Sequence, residues 1–170
     1  MKKIKKSTPH DIDKIFSLYE IATSLQKEIG TVSWPNFERS LVEEEISESR
    51  QWKIVIDKQI ACVWAITFSD DLIWEERAND KSIYIHRIAT NPKFKGQKLV
   101  NEIIAWAKTY AYKNDKNFIR LDTVGKNIGL IKHYEKCGFD YLGLFKLKNT
   151  EDLPAHYDNA SVSLFEISLK

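Results

Sequence analysis

The sequence predicts a single α/β (α+β) domain over residues 1–170, with a mixed, partly parallel sheet of about six to seven strands flanked by helices. Two observations support this fold class. Short runs in which apolar and polar residues alternate, as is typical of strands, occur near the start, in the middle and at the end of the chain. Runs with apolar residues at helical spacing separate several of these strands, and a helix between two strands implies a crossover that pairs them in parallel.

The first predicted elements are a strand and two helices. Residues 4–6 form a short strand, after which Thr8 and Pro9 are the residue types preferred at the N-cap and the first position of a helix. Apolar residues then recur at roughly helical spacing as far as Gly30, a residue type that often ends helices. A second helix is predicted over residues 37–47.

A hairpin comes next. Residues 52–56 alternate in polarity, a tight turn follows, and residues 60–68 form the second strand of the hairpin. The polar stretch 69–81 comes after it. Residues 82–90 form another strand, which must end before Pro92 because proline has no amide hydrogen for the ladder. The remaining elements are a helix, a strand, a second helix and two strands, at residues 99–110, 118–123, 127–136, 139–147 and 161–169.

Composition and charge limit the classes of function. Of the 170 residues, 43% are apolar and 29% are charged, and no apolar run is long enough to cross a bilayer. The net charge of +2 is too balanced to indicate nucleic acid, so neither a membrane nor a nucleic acid is an expected partner. The basic residues 1–6 lack the apolar stretch of a signal peptide, and Cys62 and Cys137 lack metal-ligand spacing. These features predict a cytoplasmic protein with reduced thiols and no metal.

The segment from His86 to Val100 reads HRIATNPKFKGQKLV and joins a predicted strand to a helix. The first turn of a helix offers unpaired backbone N–H groups and the positive end of the helix dipole, so such a junction can bind a phosphate. Lys93, Lys95 and Lys98 add positive charge. Taken alone, however, the segment fits a solvated basic loop before an ordinary helix better.

A second segment changes this balance. Residues 122–127 read DTVGKN, and residues 134–139 read YEKCGF. Together the two segments resemble the GNAT superfamily of N-acetyltransferases, whose phosphate loop reads Arg/Gln-x-x-Gly-x-Gly/Ala. The family's next crossover helix often begins with Asn and ends in Tyr-Glu-Lys-x-Gly-Phe, which Asn127 and residues 134–139 match. The likeness in element order extends from residue 4 to residue 169.

The phosphate loop departs from the family pattern. Lys95 stands where Arg or Gln is usual, whereas Gly96 fits. Lys98 replaces the first signature glycine and Val100 replaces the final Gly or Ala, and both changes could crowd a pyrophosphate. The ligand there is held mainly by backbone N–H groups, which every non-proline residue retains, so binding of CoA is still expected.

The resemblance implies acetyl-CoA as a co-substrate, with the backbone of residues 88–90 facing the pantetheine arm and the acetyl carbonyl. The CoA-binding residues implied in this way are Ile88, Ala89, Thr90, Lys95, Gly96, Gln97, Lys98, Leu99, Val100 and Asn127. Tyr134 is implied to lie near the thioester sulfur and to protonate the leaving thiolate, a role suited to a phenol with a pKa of about 10. The alternative is that Tyr134 is only a core aromatic on an amphipathic helix.

Attack on a thioester requires a neutral amine, so a general base is expected. His86 is one candidate, and it shares a strand face with Tyr84. The arylalkylamine acetyltransferases of the superfamily carry basic histidines at these two positions, although only one is a histidine here. The alternative is a structural strand histidine. Glu75, Glu76 and Asp122 are weaker candidates for the base.

The acceptor side is less well defined. Trp34 and Trp74 lie in polar, loop-like surroundings and are predicted to lie outside the core, unlike Trp52, Trp64 and Trp106. An exposed aromatic ring beside a carboxylate could hold a cationic amine. The residues expected to bind the acceptor are Trp34, Trp74, Glu75 and Tyr84. Alternatively, each loop tryptophan only anchors its own loop.

The sequence thus predicts an enzyme, an acetyl-CoA-dependent N-acetyltransferase. It would transfer the acetyl group to an amine, on a small molecule or a peptide, by direct attack in a ternary complex. Tyr134 and His86 are the predicted catalytic residues. The alternatives are a catalytically weak or inactive acyl-CoA-binding module and a protein-interaction domain on the same fold. The resemblance leaves a homodimer open and does not name the acceptor.

Overall fold

The computed structural model describes residues 1–170 and contains seven strands and five α-helices. The elements in chain order are β1 (Lys2–Lys6), α1 (Ile12–Glu28), α2 (Arg39–Ser47), β2 (Gln51–Ile56), β3 (Gln59–Thr67), α3 (Asp71–Trp74), β4 (Ser82–Thr90), α4 (Leu99–Lys113), β5 (Phe118–Val124), α5 (Ile128–Lys136), β6 (Asp140–Lys146) and β7 (Ser161–Ser168). Short 3₁₀ helices occur at Pro9–Asp11, Glu75–Asn79, Pro92–Phe94 and Ala155–Tyr157.

The seven strands form one sheet in the order β1-β2-β3-β4-β5-β7-β6. The sheet is mostly antiparallel, and β4 and β5 pair in parallel where residues 82–84 lie opposite residues 118–120. The predicted mixed, partly parallel sheet flanked by helices is therefore confirmed.

The chain divides into two compact units, and the first comprises residues 1–66 and 85–102. Its core is built on the apolar face of α1, where residues three or four positions apart lie on the same side of the helix. The buried members of this core are Ile12, Ile15, Leu18, Tyr19, Val42, Val63 and Ala89. The last of these places β4 directly against the packed face of α1.

The second unit comprises residues 67–84 and 103–170. Its core includes residues of α3, β4 and β7 and of the segment after β6. The buried members are Ile73, Trp74, Tyr84, Leu147, Val162 and Leu164, and Leu153 and Tyr157 of the β6–β7 connection pack against them. This connection therefore packs onto the core of its unit.

The ends of the helices follow local chemistry. The Thr8 amide donates to the Asp11 carboxylate at 2.7 Å, which fixes the start of the first helical segment. Gly30 and Gly138 have φ of +76° and +105° directly after α1 and α5, a conformation that glycine adopts without steric cost. The predicted stops of both helices are confirmed.

The structure differs from the sequence prediction in two segments. The polar stretch 69–81 forms α3 and a 3₁₀ helix rather than an open loop. The second helix begins at Arg39, two residues later than predicted. No helix combines the length and the apolar character that a bilayer-spanning segment requires.

Candidate active site

The loop between β4 and α4 lies in the first unit and is held at its start by Asn91. The Asn91 side chain accepts a hydrogen bond from the Lys93 amide at 3.1 Å and donates one to the Ile60 carbonyl at 3.1 Å. The Asn91 amide donates to the Ala61 carbonyl at 2.8 Å. The loop is therefore tied to β3 before it turns towards α4.

The second half of this loop contains two residues with left-handed backbone. Gly96 has φ of +84° and Lys98 has φ of +54°, and α4 begins at the next residue, the buried Leu99. A left-handed lysine costs roughly 1 kcal/mol relative to glycine, which is why the family pattern has glycine here. Lys98 nevertheless adopts this conformation, so its replacement of the glycine leaves the turn intact.

Residues 95–98 are exposed, whereas Val100 is half-buried in the first turn of α4. Within that first turn the Asn101 amide donates to the Lys98 carbonyl at 3.1 Å. The Leu99 and Val100 amides are the ones left to bind an anion. The loop thus presents backbone donors and two lysine side chains on one exposed segment.

The predicted backbone site on β4 directly precedes this loop. Ala89 is buried, and Ile88 and Thr90 are half-buried on either side of it. The Thr90 hydroxyl lies 3.6 Å from the buried Cys62 thiol. These contacts fix the strand whose backbone is expected to face the acetyl group.

Asn127 and Tyr134 lie on α5, in the second unit. The Asn127 side chain is the N-cap of this helix, and its Oδ1 accepts a hydrogen bond from the Leu130 amide at 3.0 Å. Its Nδ2 takes no part in capping and can donate to a ligand. The Tyr134 ring is half-buried and packs against Phe139 and Phe165, with ring centroids 5.8 and 5.2 Å away.

His86 is a weaker base than the sequence suggested. Burial lowers the pKa of this imidazole to about 3, and the positive charges of Arg87 and Arg50 lower it further in the same direction. An imidazole with so low a pKa is neutral at physiological pH but has little affinity for a proton.

A pair of carboxyl groups in the second unit has raised pKa values instead. Burial raises the pKa of Asp122, at the end of β5, to about 6, and a hydrogen bond from the Tyr157 hydroxyl at 2.8 Å limits the rise. Burial, followed by the charges of Asp122 and Asp71, raises the pKa of Asp70 to about 8. The two carboxyl groups have oxygens within 4.8 Å of one another, so the charge of Asp122 acts on Asp70 at short range.

Asp70 carries a further sign of strain, because its buried Oδ2 has no hydrogen-bond partner. Asp70 is not among the residues that the sequence predicts for the site. It lies in the polar stretch before α3, and no spacing in the sequence links it to Asp122.

Trp74 is not outside the core, and this prediction is wrong. The side chain is only 2% exposed and packs against Tyr84, which is fully buried, and against the guanidinium of Arg120 at 4.6 Å. Glu75 forms an ion pair with Lys148 at 3.4 Å. Trp74 and Tyr84 therefore belong to the core of the second unit rather than to its surface.

Trp34 is also packed rather than exposed. Its ring lies edge-on to those of Tyr19 and Phe37, and its amide donates to the Gln26 side chain at 2.8 Å. Phe37 in turn lines a pocket of about 300 Å³ on the first unit. The other residues of this pocket are Asp13, Phe16, Ser17, Glu20 and Arg39.

The raised pKa of Asp70 has a measurable consequence for stability. The folded protein favours the protonated carboxyl, so the contribution is present below the ordinary pKa of 3.8 and is lost as pH rises through about 8. At about pH 9 the ionised Asp70 should destabilise the folded protein by about 2 kcal/mol, and each kcal/mol changes Tm by about 2–4 °C in a protein of this size. We therefore expect Asp70→Asn to raise Tm at about pH 9 by roughly 5 °C. At about pH 4 the two proteins should melt together. The control is Asp152→Asn, which removes an exposed carboxylate that does not contribute to the raised pKa of Asp70. Equal Tm values for the wild type and Asp70→Asn at about pH 9 would contradict the raised pKa.

Comparison with known proteins agrees with this geometry. The model of the Acetyltransferase (GNAT) family matches residues 17–139, and the chain belongs to this family. The uncharacterized N-acetyltransferase YesJ of Bacillus subtilis (strain 168) is 34% identical over 74 residues, which are 44% of this chain and 41% of that protein. The chain therefore matches about two fifths of the length of this curated relative.

Solved structures share the fold over the whole chain. A GNAT family acetyltransferase of Listeria monocytogenes 4b F2365 has a TM-score of 0.77 at 24% identity, covering 99% of this chain and 95% of that one. A second, from Streptococcus agalactiae 2603, has a TM-score of 0.76 at 20% identity, covering 99% and 96%. A putative acetyltransferase of Salmonella typhimurium, solved with acetyl-CoA, has a TM-score of 0.68 at 10% identity, covering 99% and 94%.

Proposed function

We propose that this protein is an acetyl-CoA-dependent N-acetyltransferase that moves the acetyl group directly onto an amine in a ternary complex. The observation that carries the proposal is the strand, loop and helix of residues 88–100. Left-handed backbone at Gly96 and Lys98 there turns the chain into the N-terminus of α4. Membership of the GNAT family supports the same conclusion.

The residues present suit the acyl donor. Amides at the start of α4 and the exposed Lys95 and Lys98 would bind the pyrophosphate of CoA. Asn127 Nδ2 would donate to the pantetheine arm, and the backbone of residues 88–90 would donate to the acetyl carbonyl as negative charge develops on its oxygen. The Salmonella structure with acetyl-CoA supports use of this co-substrate by the fold.

The cysteines support direct transfer rather than an acyl-enzyme. A thiol must ionise to attack a thioester. Burial raises the pKa of Cys62 to about 11 and also raises that of Cys137. Both thiols are therefore protonated at neutral pH, and the amine is left as the nucleophile.

Asp122 is the best candidate for the general base. Its pKa of about 6 makes it ionised at neutral pH yet more basic than an ordinary carboxylate. It would take the proton of the amine, directly or through a water molecule. Tyr134 would then protonate the sulfur of the departing thiolate, as the resemblance to the family implied.

The acceptor is an amine whose surroundings are acidic and aromatic. In the pocket on the first unit Asp13 pairs with Arg39 at 3.3 Å, so Glu20 is the carboxylate left beside the rings of Phe16 and Phe37 to bind a cation on an organic body. If an accepted amine binds there, Glu20→Gln should raise its KM and leave that of acetyl-CoA unchanged. An unchanged KM for every accepted amine would exclude this pocket.

The first requirement of the proposal is binding of acetyl-CoA. Calorimetry should show saturable binding, and the ligand should raise Tm because it binds the folded state alone. If millimolar acetyl-CoA produces no binding heat and no shift in Tm, the proposal is refuted.

A further inference from the structure

One residue inside β4 has an unusual backbone conformation. Eight non-glycine residues have positive φ, and Arg87, with φ of +50°, is the only one of them that lies within a strand. Left-handed backbone in a residue other than glycine persists only where the surrounding structure holds it in place, and it occurs often at active sites. Arg87 directly precedes residues 88–90, whose backbone is proposed to face the acetyl group.

A buried carboxylate on α2 holds the Arg87 side chain. The guanidinium donates to both carboxylate oxygens of Glu45, a residue that is only 2% exposed. Arg50 lies 3.9 Å from the same carboxylate, and the Gln51 side-chain Nε2 donates to it at 3.3 Å. A carboxylate so deeply buried requires its cationic partner, so the ion pair fixes where the Arg87 side chain lies.

Aromatic rings close the site around the guanidinium. Its centre lies 5.1 Å from the Phe37 ring and 5.9 Å from the Tyr19 ring, and Nε donates to the Tyr19 hydroxyl at 3.3 Å. Tyr19 lies on α1, so α1 and α2 together hold one residue of β4. Stacking and a forked donor are properties that arginine has and lysine lacks.

The strand is also held after Arg87. Ala89 packs in the core cluster with Tyr19, and the Asn91 amide donates to the Ala61 carbonyl at 2.8 Å. Residues 88–90 are thus fixed at both ends, by the ion pair on one side and by β3 on the other.

We propose that Glu45 and Arg87 are positioning residues, which hold the left-handed turn of β4 and thereby aim the backbone N–H groups of residues 88–90 at the acetyl-CoA thioester. The inference rests on the proposed function and adds two residues to it. Both residues would act through the backbone of β4 rather than through contact with the substrates. Loss of the ion pair should misplace donors that bind acetyl-CoA and stabilise the developing oxyanion.

The test compares Glu45→Gln with Asp11→Asn, at a temperature well below both Tm values. Asp11 forms a partly buried ion pair with Lys53 at 2.6 Å in the same unit, and this pair joins the start of α1 to β2 rather than holding a residue of β4. We expect Glu45→Gln to lower kcat/KM for acetyl-CoA about tenfold, and Asp11→Asn to change it less than about twofold although its Tm also falls. Equal losses in the two variants, or none in either, would overturn the proposal.

A double variant separates positioning from stability. In Glu45→Gln with Arg87→Met no buried charge is left unpaired, so Tm should recover relative to Glu45→Gln alone. The loss in kcat/KM should remain, because the Arg87 guanidinium no longer holds β4. Recovery of both Tm and kcat/KM would show a purely structural role and overturn the proposal. If Glu45→Gln does not fold, Arg87→Lys takes its place, and its kcat/KM is compared with that of Asp11→Asn.

Failure of the proposed function would be visible separately. If the wild-type protein binds acetyl-CoA but acetylates no amine, the transferase assignment fails. The positioning role is then tested by the Kd of the same variants for acetyl-CoA. We expect Glu45→Gln to bind acetyl-CoA more weakly than Asp11→Asn, and equal Kd values would contradict the positioning role.

Discussion

Asp122→Asn is expected to lower kcat by about 10³-fold, within the range found for removal of a general base. The wild-type rate should rise with pH through an ionisation near 6, because Asp122 accepts a proton only after it has lost its own. The variant should lack this rise and keep only the increase at higher pH that reflects loss of a proton from the amine. The measurement is kcat against pH for any accepted amine at saturating acetyl-CoA.

Two neighbouring variants sharpen this experiment. Asp70→Asn makes the same chemical change nearby, and because Asp70 is still protonated near pH 6 it should leave the ionisation of Asp122 in place. Tyr157→Phe removes the hydrogen bond that lowers the pKa of Asp122, so the ionisation should move to higher pH. A rise near pH 6 that survives in Asp122→Asn would assign the base to another group.

Tyr134→Phe is expected to lower kcat by about 10²-fold and to leave the affinity for acetyl-CoA nearly unchanged. The substitution keeps the ring that packs against Phe139 and Phe165, so only the hydroxyl is lost. Steady-state kinetics and calorimetry with the same preparation give both quantities.

Tyr141→Phe is the matched control for this change. Its ring also packs against Phe165, at 5.3 Å, and its hydroxyl lies 3.4 Å from that of Ser163. This control should keep its kcat. Equal kcat in wild type and Tyr134→Phe, where chemistry limits the rate, would leave Tyr134 with a packing role only.

The sequence predicted the elements whose signals are local. Strand alternation, helical spacing and the stops at Gly30 and Gly138 all depend on residues close together in the chain, and the structure confirms them. The family pattern at residues 134–139 is local as well. The two short helices after β3 were missed because their few turns give too little periodicity to detect.

Burial and electrostatics could not be predicted in the same way. Trp74 stands among polar residues in the chain, and only the fold brings Tyr84 and Arg120 against its ring. The low pKa of His86 and the high pKa of Asp122 arise from burial, which no spacing in the sequence specifies. The sequence therefore offered Asp122 only as a weaker candidate, and the raised pKa for which we propose it as the base depends on the fold.

Lys98 shows the limit of a motif comparison. Its place in the signature suggests a crowded pyrophosphate site, because glycine is usual there. The structure shows instead a left-handed lysine with an exposed side chain, so the backbone conformation that the motif encodes is present without its glycine.

The central claim is transfer of an acetyl group from acetyl-CoA to an amine. The most direct test incubates the wild-type protein with acetyl-CoA and a panel of amines, following release of the CoA thiol and identifying the product by mass spectrometry. We expect thiol release that requires both protein and amine, with one N-acetylated amine formed for each thiol released. Binding of acetyl-CoA without acetylation of any amine above the uncatalysed rate would contradict it, and would show an acyl-CoA-binding module instead.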